Sequence, residues 1–211
     1  VSAPTPAQAW TDMATGNGRF VAGEPQHPRQ DVERRHELAA AQKPVAALFG
    51  CSDSRLSAEI IFDQGLGDLF VVRNAGQVIS DSVVGSLEYA VAVLEVPLIV
   101  VLGHDACGAV RAAMDSTAAD AAPLPPRIWR QVAPIVPAAR RLQQQHPGEP
   151  LNPEEVGREH LRDTVGELLH SSELISDAVA AGRLAIVGAN YRLSEGTAVP
   201  DITVGVVDAD A

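Results

Sequence analysis

The sequence predicts an α/β fold: a mostly parallel central sheet of about four strands plus a C-terminal antiparallel edge strand, with helices on both faces and an extended N-terminal helix. Three observations predict it. Four aliphatic runs, VAALFG (45–50), DLFVVR (68–73), LIVVLGH (98–104) and RLAIVGA (183–189), are apolar over successive residues without strict alternation, as suits strands buried on both faces of a parallel sheet. Helical patterns lie between them, which gives the α/β alternation. A fifth run, DITVGVVD (201–208), follows the fourth after the link SEGTAVP; that link is too short for a helical crossover, so the last strand is expected to be antiparallel.

The elements follow in order. Thr5-Pro6-Ala7-Gln8 reads as a capping box with Pro at the first helical position. Trp10, Met13, Ala14, Phe20 and Val21 then form an apolar stripe, interrupted at Asn17, that docks either on the chain's own core or on a second subunit. A loop spans 23–30, and Asp31 caps a helix expected to run to about Gln42. GLGDLF (65–70) contains G-x-G but precedes a strand, so it is a turn and not a dinucleotide fingerprint. The segment 81–95 places Val84, Leu87, Val91 and Leu94 on one helical face, and 115–126 is a small-residue loop within the domain. Asn152 caps a long helix opened by Pro153-Glu154-Glu155. No internal repeat is visible, and one domain is expected over 1–211, with 1–22 as an N-terminal helical arm.

With 211 residues, 46% hydrophobic and 20% charged, the chain can build one substantial core. Aromatics make up only 4%, so Val, Leu, Ile and Ala must fill it. A formal charge of −11 argues against binding nucleic acid or an anionic membrane through the overall field. No apolar run approaches the roughly 20 residues of a membrane span. The opening VSAPTPAQAW has neither the basic nor the apolar region of a signal peptide, so a cytoplasmic location is expected. Two cysteines give no disulfide framework; in that compartment they point to burial, metal binding or catalysis.

Both cysteines stand at the ends of predicted strands, where ligands of α/β sheets bind. Cys51-Ser52-Asp53-Ser54-Arg55 follows the first run, and His104-Asp-Ala-Cys107 follows the third, where a helix should begin. If those strands are neighbours, Cys51, His104 and Cys107 approach one point. Two thiolates and an imidazole suit Zn²⁺, and three ligands with one position open is the pattern of catalytic zinc. Asp53 is the local candidate for the fourth position, with Arg55 placed to compete for it. A plainer reading also fits the residues: Cys51 and Cys107 as small buried hydrophobes, His104 as a core histidine, Asp53 and Ser54 as caps of the short helix from Ser57.

With these residues in view, the chain resembles the β-class carbonic anhydrases of bacterial and plant type. GCSDSR, AEIIFDQGLGD, DLFVVRNAG, GSLEYAV and VVLGHDACGAV carry the likeness, which runs from about Trp10 to Val207. The resemblance implies Zn²⁺ on Cys51, His104 and Cys107, water or hydroxide in the fourth position, and reversible hydration of CO₂ to bicarbonate and a proton. It gives Asp53, paired with Arg55, the task of orienting the hydroxide, and leaves Asp53 as a possible fourth zinc ligand in a closed form. Substrate-side positions fall on Gln42, Phe70, Ala75, Tyr89 and the backbone N–H of Gly108. Phe70 and Tyr89 would come from the adjacent subunit of a homodimer or dimer of dimers whose active site lies at the subunit interface. A regulatory bicarbonate pocket in some members uses a Trp three residues before the first Cys; Leu48 stands there, so that pocket is not expected despite Arg73 and Tyr191. Relatives that hydrolyse CS₂ or COS share the zinc ligands, and that chemistry is the alternative.

Overall fold

Aliphatic runs buried on both faces must pair their backbone N–H and C=O groups with one another, and a sheet is the solution they reach. The structure, a computed structural model, describes residues 4–207. Its sheet has five strands: β1 (Ala46–Cys51), β2 (Leu69–Asn74), β3 (Leu98–His104), β4 (Ala185–Arg192) and β5 (Thr197–Val204). Their order is β2-β1-β3-β4-β5, parallel except for the antiparallel β4–β5 pair. The predicted architecture is therefore the observed one. Every residue of β1 and β3 is buried, as unbroken apolar runs require. β2 forms one edge, and most of its residues are half-exposed.

On one face, α1 (Pro6–Ala22) and the short α3 (Ala58–Ile61) pack with Leu48, Val100 and Val187. The capping box forms as read, Thr5 accepting from Gln8 N–H and Gln8 from Thr5 N–H. Trp10 and Met13 are buried in the chain's own core, so the stripe docks there, while Val21 stays exposed. Asn17, which interrupts the stripe, is buried: its amide donates to the carbonyls of Ile61 (3.0 Å) and Gly196 (2.8 Å) and accepts from Ala198 N–H (2.9 Å). Gly16 lets α1 approach closely, because a Cβ there would strike the Phe62 carbonyl.

On the other face lie α4 (Asp81–Ala92), α8 (Pro153–Ser171) and α9 (Glu173–Ala180), packed on Phe49, Ile99, Val101 and Ile186. Asn152 caps α8 by accepting from Glu154 N–H. A third cluster joins α5 (Gly108–Asp115), α6 (Pro126–Val132) and α7 (Val136–Gln145) around Ile135, beyond the strand ends that carry Cys51 and His104.

Three boundaries differ from expectation. The helix after Asp31, α2, stops at Glu37; none of its residues is buried, so no packing extends it. α4 ends at Ala92, and Leu94 lies past it, before Glu95 turns into the left-handed region (φ 56°). β5 begins at Thr197, within the expected link, because β4 and β5 form a close hairpin. Asp208 of the predicted strand lies outside the described residues.

Candidate metal centre

β1 and β3 are hydrogen-bonded neighbours, so their carboxyl ends bring Cys51 and His104 together. The chain then turns through Ala106 in the left-handed region (φ 48°), which folds Cys107 back over the strand end at the start of α5. The ligand atoms of Cys51, His104 and Cys107 all lie within 4.8 Å of one another, and all three residues are buried. Histidine orientation is fixed: Nδ1 is 2.8 Å from the Asp105 carbonyl, which can only accept, so Nδ1 carries the proton. The Nε2 lone pair is buried and has no hydrogen-bond partner. Asp105 is itself held, accepting from Leu193 N–H at 3.0 Å.

The two thiols do not titrate alike. The hydrogen bond from Cys107, with the N–H of Gly76, works against burial and pulls Cys51 down; the same hydrogen bond, with burial, pushes Cys107 up. The pair thus ionises first at Cys51. A cation between them would take the second proton's place, as thiolate ligation does.

Asp53 and Arg55 form the ion pair that their spacing anticipated. Nε of Arg55 is 2.9 Å from Oδ1 and Nη2 2.7 Å from Oδ2, and Arg55 N–H also donates to Oδ1 at 3.0 Å. The Arg55 guanidinium holds the Asp53 carboxyl well below the usual carboxylate range. Asp53 therefore does not cap the helix at Ser57, and that end has no side-chain cap. Arg55 also reaches the Ala106 carbonyl (3.3 Å), which ties the first motif to the turn of the second.

The remaining predicted positions separate into two groups. Ala75 and Gly108 lie together, exposed, on one wall of a pocket of about 470 Å³ completed by Ala109, Ala112, Arg127, Ile128, Gln131 and Val132. Gln42, Phe70 and Tyr89 are not brought to the cysteines within the chain. Gln42 is exposed on the loop entering β1, at the end opposite Cys51, and Phe70 pairs with Ala47 at that same end. The Phe70 and Tyr89 rings lie 6.1 Å apart, with Tyr89 46% exposed beside the edge strand.

Three residues around the centre have roles that the sequence reading did not give them. Arg73 donates to the carbonyls of Cys51 (2.9 Å) and Asp53 (2.6 Å) and so pins the loop carrying both. Gly76, at φ 82°, donates its N–H to Cys51 Sγ at 3.3 Å. His160, buried in α8, contacts the Gly76 carbonyl. A glycine after a strand and a lone histidine in a helix carry no spacing signal that would have linked them to Cys51.

A family model described as carbonic anhydrase matches residues 46–198. The chain is 53% identical over 199 residues to carbonic anhydrase 2 of Mycobacterium tuberculosis, an alignment covering 92% of each protein. It is 49% identical over 191 residues to the carbonic anhydrase of Mycolicibacterium smegmatis, covering 90% of this chain and 91% of that one. Among solved structures, its fold is like one reported for tetrameric β-carbonic anhydrases of Sordaria macrospora, with a TM-score of 0.72 at 23% identity over 90% of this chain and 96% of that one. The β-carbonic anhydrase CafA of Aspergillus fumigatus matches with a TM-score of 0.67 at 27% identity, over 91% of this chain and 90% of that one.

Proposed function

The chain belongs to the β-class carbonic anhydrases, lyases whose general activity is CO₂ hydration, and on that premise we propose that Cys51, His104 and Cys107 hold Zn²⁺ and that CO₂ and bicarbonate are interconverted beside them. The observation that carries this reading is the buried, unpartnered Nε2 of His104 turned toward two thiols. A polar atom buried without a partner is costly, and a metal ion satisfies it. One nitrogen and two sulfurs within 4.8 Å of one another fit zinc's preference for soft, four-coordinate sites. Bound there, zinc would supply Lewis acidity that lowers the pKa of water.

The protein's own groups do the rest. Asp53, ionised and held by Arg55, accepts a hydrogen bond from the attacking water and aims its lone pair at carbon. Arg73 keeps Asp53 in place through the backbone. Gly108 stands first in α5, where helix N–H groups lack intrahelical partners, and its N–H is suited to an oxygen of bicarbonate. Ala75, on the same pocket wall, leaves room for a small apolar substrate. Phe70 and Tyr89 serve the site of a partner subunit; the half-buried Phe70 on the edge strand and the exposed Tyr89 beside it support that role. The same arrangement would bring Gln42 to a partner's bicarbonate. Among the described residues no helix is long and apolar enough to cross a membrane.

Metal analysis with a CO₂ hydration assay on one preparation tests the reading, with COS and CS₂ assayed alongside. One zinc per chain and hydration of CO₂ are expected. A preparation that hydrates CO₂ with no metal, or turns over only the sulfur substrates, would overturn it.

A further inference from the structure

Zinc ligated by two thiolates is a weaker Lewis acid than zinc on neutral imidazoles, because each sulfur donates negative charge to it. A device that drains charge from one sulfur would counter this, and the surroundings of Cys51 contain one. Gly76 N–H donates to Cys51 Sγ at 3.3 Å. The carbonyl of the same peptide group, Ala75 C=O, accepts from Gln131 Nε2 at 2.8 Å. The next carbonyl, Gly76 C=O, lies 2.7 Å from His160 Nε2. A carbonyl only accepts, so His160 donates there, and its other nitrogen, Nδ1, is buried without a partner. His160 is 3% exposed, and burial lowers its pKa, which keeps the ring neutral.

We propose that Gln131 and His160 are positioning residues for the bond between Cys51 and its metal: Gln131 holds the carbonyl of the Ala75–Gly76 peptide and His160 that of the next peptide, Gly76–Gln77, so that the Gly76 N–H between them withdraws charge from Sγ. This rests on the reading that Cys51 ligates zinc. The relay runs in series, from the Gln131 amide to the Ala75 carbonyl and from the Gly76 N–H to the sulfur. Hydrogen bonds in such a chain polarise one another, so a donor on the carbonyl strengthens the N–H. His160 holds the following Gly76–Gln77 peptide and so fixes the turn on the other side of the Gly76 Cα. Gly76 is required in the middle, since it adopts φ 82° and a Cβ there would come within 2.7 Å of the Ala109 methyl. Partners behind metal ligands set metal affinity and reactivity in other sites by about 10- to 100-fold. Neither Gln131 nor His160 touches a proposed ligand, so each acts through the backbone that flanks the Gly76 Cα.

Cobalt-substituted protein gives a readout apart from activity, because the thiolate-to-cobalt charge-transfer absorption reports charge on sulfur. Gln131→Glu keeps the shape and removes the donor at a half-buried position, where folding should survive. His160→Leu removes the other grip, and His160→Gln restores an N–H donor. The expected result is a charge-transfer band shifted to longer wavelength in Gln131→Glu and His160→Leu, with about tenfold faster cobalt loss, and a band near the wild-type position in His160→Gln. An unmoved band in folded Gln131→Glu that binds one cobalt overturns the proposal, even if cobalt is lost faster, and it decides alone should His160→Leu fail to fold. Cobalt binding that survives Cys51→Ser in an otherwise unchanged chain would instead overturn the assignment of the centre itself.

Discussion

Arg55 grips both oxygens of Asp53, Nε at 2.9 Å from Oδ1 and Nη2 at 2.7 Å from Oδ2, across a single intervening residue. The pairing depresses the Asp53 pKa, so the carboxylate is present above the ordinary value of about 3.9 and is lost only well below it. Arg55→Ala should let the carboxyl titrate nearer that value and should free its orientation. A fall in kcat/KM of about 100-fold is expected, the scale of a misplaced reacting group, with zinc content unchanged. A parallel loss of zinc would instead make the pair part of the fold.

Cys107 supplies one of the two sulfurs of the proposed zinc site, and its replacement would leave two of the three candidate ligands. Cys107→Ser should lose most of the metal and the activity together, while the sheet and its helices persist. Full zinc occupancy in this variant, measured by elemental analysis, would remove Cys107 from the ligand set.

The left-handed turn at Gly76 leaves no room for a side chain. Gly76→Ala should cost about 1–3 kcal/mol, the usual penalty of overpacking. For a chain of this size that is a fall in Tm of roughly 2–4 °C per kcal/mol, visible in thermal unfolding. Because the same residue contacts Cys51, zinc should also leave faster.

Asp63 stabilises the fold in a pH-dependent way. Burial raises its pKa, but the N–H groups of Gln26 and His27 and the Arg19 guanidinium (2.6 Å) outweigh it, and the net shift is downward. A carboxyl depressed in the folded state adds stability that is complete above its unfolded pKa of about 3.9 and fades as pH falls through the lower folded value. Asp63→Asn should therefore be less stable than wild type at neutral pH, and the difference should narrow on acidification below about pH 4. Denaturant midpoints across that range check the sign.

The half-exposed strand β2 and the neighbouring Tyr89 mark the surface that should join two subunits. Tyr89→Arg places a charge there and should lower the oligomeric mass in sedimentation, with loss of activity at dilution. Unchanged mass and activity at low concentration would separate Tyr89 from assembly.

The parts of this molecule most legible in the sequence were those where one physical demand governs a run of residues. Burial on both faces wrote β1, β3 and β4 as unbroken aliphatic segments, and the same demand placed Cys51 and His104 at strand ends. Asp31 announced its helix correctly, but its stop at Glu37 depended on the absence of packing, which local sequence does not encode. Asn17 looked like an interruption because its three partners, Ile61, Gly196 and Ala198, are remote in sequence. His160 went unread, and Arg73 was read only for another pocket, for the same reason: their task here is to hold a backbone carbonyl, and any residue offers one.

The polar pin of Asn17 has a consequence for how the chain is built. Two of its three anchors lie 179 and 181 residues further along, in the final hairpin. As the polypeptide emerges in order from the ribosome, the seat of α1 stays incomplete until the last strands have arrived. Trp10 and Met13 are therefore only partly covered through most of synthesis, the interval when a nascent chain is most exposed to aggregation. α1 should thus be completed late, and pulse-labelled hydrogen exchange during refolding should find its amides protected after those of β1 and β3.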